Sequence, residues 1–441
     1  MKNKGLLIGL LGLVGLLGPA ATAQNGFNLP YTQFGLGLGE MPYNMPAATR
    51  MGGAVLTRGG NNSINPFNPA SYGDIATESF VFDMGLNIQL STLRSGDQKV
   101  SDADGNIGYL AIGLPITKWW KVAAGLMPFS TVDYETVDST SVVKSTYAGT
   151  GGVNELFAGS AFCIPVGKGR TLQVGFNAGY LTGSIQRGIT YNFLGGDTTY
   201  YIDSRKQKDT RVSNVVFDFG LQYRQAIGEH YTLGLGLSYK PYQDMHVTET
   251  ALIYTFRTIS SSERLFDTIF PARGDDAEIE SRIEQPHTYG VGLSLERNGK
   301  WLVAADATFA AWQGLRYTED ESHRVFGDNT LRDGAFSRYA LGFEKMGVMD
   351  ASTYWGRIGW SVGIHAEQGM LYLNLDGVDH RVDQWGAGAG VSLPMRKGRS
   401  LLSLSVGYNC LGDPSLLQRN TVTFGIAVSS CERWFVKRKY N

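Results

Sequence analysis

Four ionisable residues, Asp306, Glu344, Arg357 and His365, share one parity of a two-residue repeat, among small neighbours. Side chains two apart fall on the same face of a strand. Acids, a guanidinium and an imidazole gathered on such a face would line a polar path, or hold a segment laid against it. They do not make a catalytic set. The six histidines are scattered without the spacing of a metal site. Asp102-Ala-Asp104-Gly-Asn106 lacks the register and closing glutamate of a calcium loop. Neither G-x-S-x-G nor H-E-x-x-H occurs. The chain therefore reads as a non-enzyme, with no metal and no cofactor. Arg273-Gly274-Asp275 reads as a chance match in a charged loop.

Two proline-centred stretches carry a different message. Asn65-Pro66-Phe67-Asn68-Pro69-Ala70 joins two asparagine amides to two residues that lack a backbone donor. Each proline also holds its predecessor extended. Such a stretch is either a latch, its amides bonded to a facing wall, or an ordinary turn entering the first strand. Pro128, followed by Phe129, lies inside an alternating run. There it removes one ladder bond and bends the strand.

The elements that must position these residues are strands. From Glu78 onward a period of two recurs to the end. In Thr421–Tyr440, Val422, Phe424, Ile426 and Val428 alternate with Thr421, Thr423, Gly425, Ala427 and Ser429, before Trp434, Phe435 and the basic Lys437, Arg438 and Lys439. One greasy face, one polar face, an aromatic girdle and then charge is the pattern of a membrane β-strand. About fourteen such strands are expected, the third near 119–136 and the eleventh near 353–374. Short connections (116–118, 167–169, 228–229, 298–299, 395–398) alternate with long charged ones (94–105, 137–149, 193–209, 256–278, 318–333). The fold class is all-β: a transmembrane antiparallel barrel of about fourteen strands, porin-like, with both termini on the periplasmic side of a Gram-negative outer membrane.

Residues 1–23 read as a signal peptide: Lys2 and Lys4, an apolar run, then Ala21-Thr22-Ala23. No later run is long and apolar enough for a membrane helix. Residues 24–77 lack alternation yet hold Phe27, Leu29, Tyr31, Phe34 and Met51, too apolar for a free tail and too short for a core of their own. They are expected inside the barrel of residues 78–441, as a plug. The net charge of −1 gives no electrostatic case for nucleic acid. Outer-membrane lipid and lipopolysaccharide are the expected surroundings.

Three stretches carry a resemblance. Met51-Gly-Gly-Ala with Asn61-Asn-Ser and Asn65 to Ser71 resembles the N-terminal hatch of the long-chain fatty-acid transporter (FadL-like) family. Gly125-Leu-Met-Pro128-Phe129-Ser130 resembles that family's third strand. The tail Trp434 to Lys439 resembles its Bacteroidetes-type branch, although the chain ends on Asn441 where an aromatic is usual. The resemblance implies a fourteen-stranded barrel plugged by a hatch, and passive uptake of fatty-acid-like or aromatic small molecules. It also implies hatch movement and a lateral exit at the Pro128 kink. Leu56, Ile64, Phe67 and Met127 would line the hydrophobic ligand site. Some members instead serve as non-transporting subunits of outer-membrane protein assembly or secretion complexes, with protein partners.

Overall fold

In the computed structural model of the chain, the described residues are 29–33, 35–39, 41–194, 202–259, 262–270, 278–311, 317–318, 335–348, 351–369, 371–375, 378–395, 400–413 and 416–433. The expected signal peptide, residues 24–28, Arg273 to Asp275, most of 318–333, the turn 396–399 and the tail from Trp434 lie outside the described residues.

Fourteen wall strands follow one another around a single antiparallel sheet. They are β1 (Ser79–Ser95), β2 (Gln98–Pro115), β3 (Trp120–Ser139), β4 (Val143–Gly167), β5 (Arg170–Phe193), β6 (Asp203–Ile227), β7 (Tyr231–Lys240 and Gln243–Ile259), β8 (Glu278–Gln285 and Thr288–Arg297), β9 (Trp301–Ala311), β10 (Ala335–Lys345), β11 (Gly359–Gln368), β12 (Gln384–Pro394), β13 (Leu401–Asp413) and β14 (Leu417–Arg433). β1 pairs with β14 from Ser79↔Arg433 to Arg94↔Gln418, which closes the barrel. Both ends of the described wall therefore leave from one rim, here the terminal rim.

The alternation is inside out relative to a water-soluble sheet. On β11, Ser361 and His365 are buried while Trp360, Val362 and Ile364 are exposed. On β14, Thr421, Thr423 and Ser429 are buried while Phe424 and Ile426 are exposed. An apolar outer belt with a polar interior suits a barrel spanning a membrane. Among the described residues no helix is long and apolar enough to cross one.

Three expected outer loops are mostly strand, and in 256–278 it is Ser262–Phe270 that pairs back on the end of β7. Ser95 pairs with Gln98 across a two-residue turn, with Gly96 at φ 56° in the left-handed region that glycine tolerates. Strand β2 thus covers most of 94–105. Likewise β3 and β4 extend to Ser139 and Val143, leaving residues 140–142 as the turn. The expected strand near 353–374 begins only at Gly359. It is preceded by a helical turn, Tyr354–Arg357, in which Thr353 Oγ1 accepts from Gly356 N (3.3 Å). Arg357 is therefore not on the inward face of β11, which corrects its placement with the lumen set.

The wall is interrupted between β2 and β3. Their ladder runs from Pro115↔Lys121 only to Leu110↔Leu126. Past it, β3 has a register shift between Pro128 and Ser130 and, among the wall strands, is paired only with β4 on its other side.

Candidate functional site: the lumen and its N-terminal segment

Residues 29–78 lie against inward-facing residues from nearly every wall strand. Carboxylates on the wall take donors from the segment, and the segment's own Asp74 and Gly73 take donors from the wall. Asp306 on β9 accepts from Val55 N (2.5 Å) and Leu56 N (2.8 Å). Glu344 on β10 takes Arg50 Nη1 at 2.7 Å and Arg58 Nη2 at 2.8 Å, so one carboxylate bridges two guanidiniums. Arg50 also reaches Ser361 Oγ (3.2 Å) on β11. Asp83 on β1, fully buried, accepts from Ile64 N (2.9 Å), Tyr109 (2.8 Å) and Ser429 (2.9 Å). Asp74 receives Arg224 Nη1 (2.8 Å) and Gln173 (2.7 Å), and Lys121 donates to Gly73 O (2.7 Å).

The asparagine-proline stretch is the hub of the segment. Asn65 Nδ2 donates to Val55 O (2.8 Å) and Arg58 O (3.0 Å), folding the segment on itself. Asn68, fully buried, donates to Leu56 O (2.7 Å). Its Oδ1 accepts from Ala70 N (3.2 Å), capping the 3-10 helix Pro69–Asp74. Asn177 on β5 donates to Pro66 O (3.2 Å), and Tyr72 donates to Asn177 (3.0 Å). The first turn of the segment is also tied down. Tyr31 donates to Leu417 O (2.6 Å); burial, then the Asp413 carboxylate, push its phenol up to about 12, so it keeps its proton.

Glycines on the wall make the fit close. A Cβ at Gly363, Gly388 or Gly236 would overlap the backbone of Met51, Thr49 or Leu56. This is the requirement that makes those inward positions glycine.

The apolar candidates are packed rather than arranged around a chamber. Ile64 and Met127 are buried in one cluster with Tyr72, Ile75, Val81, Tyr109 and Phe157, and Phe67 is half-buried against it. Leu56 is buried over Gly236, Gly290 and Gly292 of the wall. A cavity of about 260 Å³ lies towards the terminal rim, with a mixed lining: Arg50, Arg58, Arg224, Glu296 and Glu344 stand beside Met45, Val55, Ile64, Leu302 and Met346. Ile64 is the one of those four apolar candidates on it. His365, on the same inward face of β11 as Ser361, is buried; it hydrogen-bonds Asn409 and has Arg338 as a charged neighbour.

Pro128 and Phe129 mark the wall interruption. Asp133 O, just beyond it, accepts from Leu29 N (2.8 Å) and Thr32 Oγ1 (3.1 Å). Leu38↔Thr131 and Gly39↔Ser130 form a short antiparallel ladder. The segment thus covers the β3 side of the gap. Gln222 on β6 donates to Leu56 O (2.8 Å); like Asp83, Lys121 and Asn177 it lies outside the residues expected from sequence, its signal being a polar residue at inward parity between apolar outward ones.

Residues 6–441 match the BamG family. The chain belongs to that family. No curated protein is a significant match to its sequence. Its fold is that of FadL-type barrels. A Pseudomonas aeruginosa FadL homologue is 10% identical with a TM-score of 0.55, over 90% of this chain and 99% of that one. The Pseudomonas putida toluene transporter TodX is 13% identical with a TM-score of 0.51, over 93% and 99%. The CymD monoaromatic hydrocarbon channel is 12% identical with a TM-score of 0.51, over 88% and 97%. At these identities the likeness is one of fold.

Proposed function

We propose that this BamG-family chain is a plugged outer-membrane barrel, its terminal rim periplasmic, that serves as a barrel subunit of an outer-membrane protein assembly or secretion complex. The observation that carries the reading is the polar lock. The interior is filled by residues 29–78, fixed by buried ionic and amide bonds to Asp83, Asp306 and Glu344. Breaking a buried ion pair such as those at Glu344 costs about 3–5 kcal/mol, and a hydrogen bond to a charged group such as Asp83 or Asp306 adds about 1.5–3 kcal/mol, so together these bonds make a static plug. The apolar residues that would hold a hydrophobic cargo are spent on packing the plug to the wall. Purification from native outer membranes tests it. Elution in constant ratio with protein partners is expected; elution alone with bound lipid would contradict it.

A second reading, passive uptake of fatty-acid-like or aromatic small molecules, is favoured by the interrupted β2–β3 ladder beside Pro128. In that reading Leu56, Ile64, Phe67 and Met127 part from the wall when the plug shifts, and cargo leaves sideways into the bilayer. The solved hydrocarbon channel and toluene transporter of similar fold lend it support. Loss of toluene or oleate uptake in a deletion strain, restored by the wild-type chain, would favour it over the subunit role.

A further inference from the structure

The two sides of the wall gap are unequal. Past Leu126 the inner edge of β3 is taken up by the chain's own Leu29, Thr32, Leu38 and Gly39. Past Leu110 the matching edge of β2, Gln98–Tyr109, has no strand beside it among the described residues, because β2 there pairs only with β1. A free edge exposes backbone donors and acceptors in strand spacing, and another chain can pair with them. At Ala103 the amide is met by a side chain, the Asp102 carboxylate at 2.7 Å.

The gap is also acidic. Asp133 on β3 has Asp102 and Asp104 of β2 and its own neighbour Glu135 within electrostatic reach, with Arg419, itself buried against Ser91, as the cation beside them. Arg94 and Lys99 stand opposite each other nearer the hairpin tip. Ser101, Ala103 and Gly105 on this edge are small, so a backbone can approach closely.

We propose that the β2 edge between Gln98 and Tyr109 is a docking edge, which takes an extended, lysine- or arginine-bearing segment of a partner protein as an added strand. This rests on the subunit reading above and names where such a partner binds. Main-chain pairing supplies the attachment, and the acidic side chains select a basic strand. The same charges, with no partner, would merely keep other strands off the edge, and the test separates these outcomes.

A photo-crosslinking residue, p-benzoylphenylalanine, is placed at position 101 or 103, or at Val215 on the lipid-facing side of β6 as a control. Crosslinks are made in native outer membranes and mapped by peptide sequencing. The expected result is that positions 101 and 103 reach one short segment of one partner, at residues two apart, with Lys or Arg between or beside them. Position 215 does not reach it. Ala103→Pro, which deletes an edge donor, should abolish the crosslink from 101. Should that variant fail to fold, Asp102→Asn with Asp104→Asn keeps every amide and should lower the yield at least several-fold in a barrel that still migrates as folded. Crosslinks to lipid, to residues 24–33 of this chain, to a second copy, or to nothing would overturn the docking edge. If partners still co-purify in those cases, the subunit reading stands and this inference alone fails.

Discussion

At the residue scale three wall carboxylates, Asp83, Asp306 and Glu344, bond the N-terminal segment to the barrel. Glu344 bridges two arginines at once, with side-chain exposures of 5%, 20% and 10% for Arg50, Arg58 and Glu344. Glu344→Gln leaves a surplus of buried positive charge, and should cost about 3–5 kcal/mol. Asp306→Asn keeps an acceptor for Val55 N and Leu56 N but removes its charge, and should cost less, about 1–3 kcal/mol. The temperature at which the folded gel band converts to the unfolded one measures both. Equal loss, or none for Glu344→Gln, would remove that bridge from the lock. Asp306 and Glu344 were legible in the sequence because inward parity among small residues marked them. Their partners were not, because Arg50 and Glu344 are 294 positions apart in the chain and no local pattern links them. Arg357 was misplaced because Thr353 caps a helical turn where an uninterrupted strand was expected.

Among the elements, the strand count was legible and the strand ends were not. Hydrophobic alternation persists only where one face meets lipid. Beyond the belt both faces meet water, so Ser101-Asp-Ala-Asp104 in β2 carries no greasy period although it is paired with Thr92 to Gln89 of β1. The proline in β3 was legible as a bend. That the chain's own N-terminal segment would cover one side of the resulting gap was not, since Gly35-Leu-Gly-Leu-Gly39 reads as turn chemistry alone. Because Gly39 is in register with Ser130, Gly39→Cys with Ser130→Cys should crosslink under mild oxidation in a barrel that still migrates as folded. Absence of that bond would separate the segment from β3. For the strand direction, a cysteine at Glu229, in the short turn between β6 and β7, should resist impermeant labels on intact cells. One at position 270, in the long distal connection, should react. The reverse pattern would invert the barrel.

For the whole molecule, the glycine- and serine-lined interior and the apolar, aperiodic N-terminus were two halves of one fact. Small inward residues leave a lumen that the protein's own chain can fill, and residues too few for a core of their own need that wall to bury them. The sequence showed the room and the guest, but not the ionic lock between them. The proposed plug bears on both readings of function: a subunit keeps the plug, and a transporter must move it. The most direct test is conductance in planar bilayers. The full-length barrel should be nearly silent, and a variant lacking residues 26–72 should still insert and should conduct ions in steady, well-defined steps. An open pore in the full-length protein, or a deletion that leaves conductance unchanged, would contradict the plug and the functions built on it.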